Sequence, residues 1–135
     1  MVFAQFQNDL KIARSMHAAG VEMMAGSDSL DPFNFPGPSL HEELKLLAEI
    51  GFTPIEALQA ATSKPAEFLK ANGEGGWGSI RPGRTADLVL LDADPLADIT
   101  NTRKIAAVVL AGKFLGSDQI DEMLARARRA ADAVK

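Results

Sequence analysis

The chain has 135 residues, 47% of them apolar and 24% charged, with a formal net charge of −4 and no cysteine. That length predicts one domain able to bury a core, and it is too short for a whole eight-stranded α/β barrel, which takes about 250 residues. The acidic balance argues against nucleic acid and anionic membrane surfaces as partners, the missing cysteines exclude disulfides and thiolate metal sites, and no apolar run reaches membrane-spanning length.

The N-terminal run Met-Val-Phe-Ala-Gln-Phe has neither a basic region nor a signal core, so a cytoplasmic location is expected. Residues 3–19 read as an amphipathic helix, because Phe3, Phe6, Leu10, Ala13 and Met16 recur three or four apart. Gly20 is placed to stop it. Val21 to Ala25 then reads as a short buried strand, with Glu22 marking its less buried end. The strand stops on Gly26 and Ser27 and presents Asp28. A carboxylate just past a buried strand is where α/β enzymes place catalytic groups, since the strand ends rigidly and the loop leaves access. Aspartate between Gly and Ser is also a common turn residue, and the local sequence leaves both readings open.

Asp31 to Pro38 is expected to be a loop, with Pro32, Pro36, Gly37 and Pro38 excluding regular structure. Phe33 and Phe35 inside it either line a ligand pocket or, the commoner use, pin the loop to the core. Ser39 and Glu42 read as a capping box that opens a helix, with Leu40, Leu44, Leu47 and Ala48 as its apolar face and Gly51 as its end. Thr53, Pro54 and Glu56 repeat the pattern, with Ile55, Leu58 and Ala61 facing inward. Ser63 to Leu69 reads as a further short helix that tolerates Pro65 in its first turn.

Gly73 to Gly78 matches the Gly-x-Gly-x-x-Gly spacing of dinucleotide sites. That fingerprint must follow a strand and open a helix. Here a helix precedes it and Ser-Ile-Arg-Pro-Gly follows, so a connector is expected, at the boundary between a helical part and a β-rich part. Ala86 to Asp92 and Ile105 to Ala111 read as strands, Gly112-Lys113 as a tight turn, and Phe114-Leu115 as a short third strand. Ser117 or Asp118 is expected to cap a final helix with the apolar stripe Ile120, Met123, Leu124, Ala127, Ala131 and Val134. Its acids sit early and its arginines late, which complements the helix dipole.

The chain has two histidines. His17 falls near a helix end. His41 opens a helix in His-Glu-Glu-Leu-Lys, which lacks the second histidine of a His-Glu-x-x-His zinc motif. Neither is expected to meet Asp28. No serine-histidine-aspartate pattern, phosphate loop or calcium loop is present, so Asp28 is the one residue whose placement suggests chemistry.

Four segments in order carry a resemblance. They are Ala19 to Asp28, Ser39 to Thr62, Gly78 to Asp92, and Asp94 to Ile99 leading into Val108 to Lys113. Together the chain resembles the C-terminal portion of the metal-dependent amidohydrolase superfamily, of the imidazolonepropionase and Xaa-Pro dipeptidase (prolidase) type. The resemblance implies an α/β fold: the last strand and closing helices of a (β/α)8 TIM barrel in residues 1–72, part of a composite β-sandwich in 73–116, and a C-terminal helix in 117–135. It implies that Asp28, ending the eighth strand, is both a catalytic residue and a metal ligand. The metal would be divalent, with zinc the first candidate, and the reaction hydrolysis of C–N bonds in amides, cyclic amides or dipeptides by metal-activated water.

Ser27 stands where threonine is common in that family. The family's first-strand His-x-His, its bridging lysine or carboxylate, and the histidines of its fifth and sixth strands have no counterpart here. The chain therefore reads as a fragment whose partner is the N-terminal part of the same protein. By itself it is expected to be inactive and to bind no metal tightly. The alternative is a non-catalytic interaction or structural remnant of such an enzyme.

Overall fold

The computed structural model describes residues 2–29 and 34–133, residues 2 and 3 by backbone alone. Five α-helices lie at α1 Val2–Ala18, α2 Pro38–Glu49, α3 Pro54–Ala61, α4 Ser63–Phe68 and α5 Ser117–Asp132. Three strands, β1 Leu88–Leu91, β2 Ile105–Leu110 and β3 Lys113–Gly116, form an antiparallel meander in that order, with a 3-10 turn at Ile99–Arg103 before β2. Among the described residues, no helix is long and apolar enough to cross a membrane.

The core lies where α2 and α3 meet. Leu44, Leu47 and Ile50 from α2 and its end, Ala57 and Ala60 from α3, and Ile99 from the 3-10 turn form one buried cluster, with Leu10, Met23, Ala25 and Phe52 packed against it. Small residues on α3 let that helix approach closely, because Ala57 and Ala60 leave almost nothing exposed. Its start is fixed by a full capping box. Glu56 Oε2 accepts from the Thr53 N–H at 2.8 Å and from the Thr53 hydroxyl at 2.6 Å, and Thr53 Oγ1 accepts from the Glu56 N–H at 3.4 Å. Pro54 fills the first helical position, where no N–H is needed.

The 3-10 turn ties α2 to the sheet. Thr102 is buried, and its hydroxyl donates to the Ile99 carbonyl at 2.8 Å. Its proton is thereby committed, so the His41 Nδ1–H donates to Thr102 Oγ1, at 3.0 Å. Arg103 Nη2 pairs with Glu42 Oε1 at 2.5 Å beside it. In the sheet, Leu88 faces Val109 and Val108 faces Leu115, with an irregularity in β1 between Leu90 and Leu91. The β2–β3 turn is Ala111-Gly112, both residues in the left-handed region at φ 48° and 79°. That pair of positive φ values gives the twist a two-residue hairpin needs.

Several expectations are corrected. Val21 to Ala25 is extended but forms no strand ladder; its backbone bonds to the rest of the fold run from the Val21 N–H to the Met16 carbonyl at 3.0 Å and from the Ala25 N–H to the Ala60 carbonyl at 2.9 Å. A strand is assigned by its neighbours, and none lies beside this segment among the described residues. Burial still alternates along it: Met23, Ala25 and Ser27 are half-buried while Glu22, Met24 and Gly26 are exposed. Period-two alternation is the mark of an extended segment with one covered face.

Ser39 does not cap α2. The helix begins one residue earlier, at Pro38 behind Gly37, and has no side-chain cap. The Ser39 hydroxyl instead accepts from the Phe35 N–H at 2.9 Å, and Glu42 is drawn to Arg103. Phe35 is 63% exposed and pins nothing; Phe33 lies outside the described residues. Ile55 is 49% exposed, because α3 buries its alanine face instead. Helix α5 starts behind Gly116, whose N–H donates to Gln119 Oε1 at 3.2 Å, so neither Ser117 nor Asp118 caps it. None of its described residues is buried. Gly73 to Gly78 carries no helix or strand, in keeping with a connector, and its carbonyls at Gly75 and Gly76 accept from Thr85.

Candidate functional site

Asp28 stands exposed at the end of the extended segment, with φ 45°. Aspartate and asparagine are the side chains that enter this left-handed region with least strain. The backbone alone thus explains a short polar residue at this position. The residue is exposed, so an incoming group can reach it.

The end of the segment is approached by α2. Glu43 shares a helix face with Leu47 and Ile50, at i, i+4 and i+7, and is half-buried beside them. Burial pushes the Glu43 carboxyl above the usual carboxylate range, and the Gly26 N–H draws it part of the way back. Sequence reading passed over this residue, since the neighbouring Glu42 was expected to cap the helix. The signal that points to it is an acid at an apolar-face position.

The two histidines are used elsewhere. His17 stacks on Phe52, ring centroids 3.9 Å apart and planes 22° apart. His41 is held by Thr102, and desolvation pushes its pKa below the ordinary histidine value, with Arg103 adding to the effect and Glu42 opposing it. An open cleft of about 330 Å³ lies against the start of the extended segment, lined by His17, Glu22, Phe52, Glu56, Gln59 and Lys64 among others. The Lys64 ammonium meets Glu22 there at 2.7 Å, on the surface. Asp28 is not part of its wall.

Among the described residues, no group of three His, Cys, Asp or Glu side chains is close enough to hold a metal ion. Asp28 is a single carboxylate, so these residues alone do not fit a catalytic metal, which usually takes three protein ligands.

The profile of the amidohydrolase family matches residues 6–115. An adenine deaminase from Methanosphaera stadtmanae is 37% identical over 79 residues, which cover 58% of this chain and 14% of that protein. Among solved structures, a putative prolidase from Bifidobacterium longum superposes with a TM-score of 0.69 at 35% identity, over 88% of this chain and 30% of that one. Molinate hydrolase superposes with the same TM-score of 0.69 at 30% identity, over 82% of this chain and 26% of that one. A Xaa-Pro dipeptidase shares the fold at 24% identity and a TM-score of 0.69. The chain thus spans only about a quarter of the length of the solved structures it matches, 25% to 30% in these three.

Proposed function

Since this chain belongs to the amidohydrolase family, its fold one segment of that family's (β/α)8 barrel, we propose that Asp28 is the reacting carboxylate of a hydrolase that cleaves C–N bonds. What carries this reading is the family match across residues 6–115 together with an exposed carboxylate where the extended segment ends. Asp28 accepts a proton from the attacking water at a carboxylate oxygen and hands it to the leaving nitrogen, the two halves of general acid–base catalysis. The substrate class is an amide, a cyclic amide or a dipeptide. A divalent metal, zinc first among them, would supply an acidified water when bound. Its remaining ligands and most of the substrate contacts would come from outside these residues, in the N-terminal part of the same protein.

Residues 1–72 are the barrel-closing part in this reading, 73–116 a share of the β-sandwich, and 117–135 the terminal helix. A chimera tests the proposal. The matched C-terminal quarter of molinate hydrolase is replaced by this chain, and molinate hydrolysis is measured alongside thermal melting. A cooperatively folded chimera with turnover well above background, lost on Asp28→Asn, supports it. A folded chimera with no activity, or one indifferent to Asp28→Asn, overturns it.

A further inference from the structure

We propose that the apolar face of α5 is a docking surface for a second copy of this chain, whose own α5 lies antiparallel against it.

The helix runs beside β2 and β3, yet none of its described residues is buried. Met123 and Leu124 are 56% and 51% exposed, and every described residue from Arg126 onward is exposed. The side chains are nonetheless sorted into faces. Ile120, Leu124, Ala127 and Ala131 follow at spacings of four, three and four, the alternation of a two-helix seam. Met123 and Ala130 flank that seam on one side. Asp121 and Arg128 flank it on the other, both exposed and neither engaged in an ion pair among the described residues.

Charge and volume together select the occupant and its direction. Two parallel copies would set the charged flank of one helix against the Met123 flank of the other, where the charges lose water and find no partner. Two antiparallel copies set like flank on like flank. Asp121 of each copy then faces Arg128 of the other, so one two-fold axis makes two ion pairs. Met123 meets Ala130 on the opposite side, again twice. Within the seam Ile120 lies opposite Ala131, and Leu124 lies opposite Ala127. Each layer thus joins a large side chain to a small one, which lets the two helices approach and interdigitate. A face that completes itself in charge and in volume under a single rotation fits its own copy. An anionic membrane is a poorer match, because the helix carries four acids against three arginines. With 16 residues in the helix the contact is short, which places the dimer at the weak end of specific interfaces.

Sedimentation equilibrium of the chain at concentrations up to about 1 mM, with helix content followed by circular dichroism, is the test. It uses wild type, Asp121→Arg, Arg128→Asp, the double reversal, and Arg129→Glu on the far side of the helix. Wild type should pass from monomer to dimer across the series. Each single reversal turns two attractions into two repulsions and should weaken the dimer at least about tenfold. An equimolar mixture of the two single variants should dimerise again, since each supplies the charge that the other lacks, and the double reversal should recover affinity in the same way. Arg129→Glu should change nothing. A wild-type chain that stays monomeric overturns the proposal, and is the result expected if this face belongs to the N-terminal part of the same protein. Association indifferent to both reversals overturns it as well, because another surface then joins the copies. So does a mixture of folded single variants that fails to recover, which excludes the antiparallel register. Should either single variant lose its helix content, the double reversal and Leu124→Lys decide: recovery in the first with loss in the second supports the interface, and any other pairing overturns it.

Discussion

Asp28 permits a substitution series that separates its backbone role from its chemistry. At φ 45°, a residue other than Gly, Asn or Asp costs roughly 1–2 kcal/mol. Asparagine shares aspartate's tolerance of this region, and the side chain is exposed, so Asp28→Asn should shift stability by no more than about 0.5 kcal/mol. Asp28→Ala should lose roughly 1–2 kcal/mol, which for a chain of 135 residues corresponds to a fall in melting temperature of about 3–8 °C. Activity should follow a different order. Neither asparagine nor alanine accepts the water's proton, so both should lose about 10²–10⁴ in turnover. Melting of the isolated chain gives the first ranking, wild type equal to Asn and above Ala. Turnover of the molinate hydrolase chimera gives the second, wild type far above Asn and Ala alike. An asparagine variant within about threefold of wild-type turnover, against the general-base contribution expected, would refute the catalytic role. An alanine variant as stable as asparagine would show that the left-handed backbone is not what selects the residue.

Thr53→Ala should destabilise the chain by about 1 kcal/mol, because it removes a formed cap, whereas Ser39→Ala should cost clearly less, because α2 has no side-chain cap; urea midpoints compare the two, and equal losses would show a cap at Ser39 after all. The Thr53 effect should shrink in acid: the Thr53 groups hold Glu56 below its ordinary value of 4.5, so the stability it brings is complete above that value and lost as pH falls through the lowered one. His41 works in the histidine range. Its folded pKa is lowered from 6.5, so its neutral form is favoured by the fold, stability is complete above 6.5, and it declines as pH falls through that value toward the lowered one. Urea midpoints between pH 7.5 and 5 should therefore fall less in His41→Asn than in wild type, and parallel curves would exclude the effect. Calorimetric titration of the isolated chain with Zn²⁺ should show no stoichiometric site of nanomolar affinity; such a site would mean that the ligands come from within these residues.

Local signals carried the helices well and the extended segment less well. Thr53-Pro54 with Glu56 is a cap whose partners are three residues apart, so sequence alone specifies it. Ser39 with Glu42 has the same spelling, yet Pro38 starts the helix one residue sooner and Arg103, 61 residues away, takes the carboxylate. A distant partner overrides a local pattern, and no local pattern reports it. Val21 to Ala25 shows the same limit from the other side. Its composition favours a strand, but a ladder needs a neighbour, and only the alternating burial survives without one. Asp28 was legible as the end of that segment because Gly26 and Ser27 mark it. Glu43 was passed over because the neighbouring Glu42 was read as the capping acid.

The two side-chain pairs that join α2 to the 3-10 turn also bear on the order in which the chain folds. His41 meets Thr102 and Glu42 meets Arg103 across 61 residues each, while α2, α3 and α4 follow one another directly. Closing a long loop costs chain entropy before any contact rewards it, so the helices condense first and these pairs form late. Interactions absent from the folding transition state act on unfolding alone. Thr102→Val or Arg103→Met should then speed unfolding and leave refolding nearly unchanged. The pairs at the first turn of α2 govern how long the folded chain lasts, and have little part in how quickly it is made.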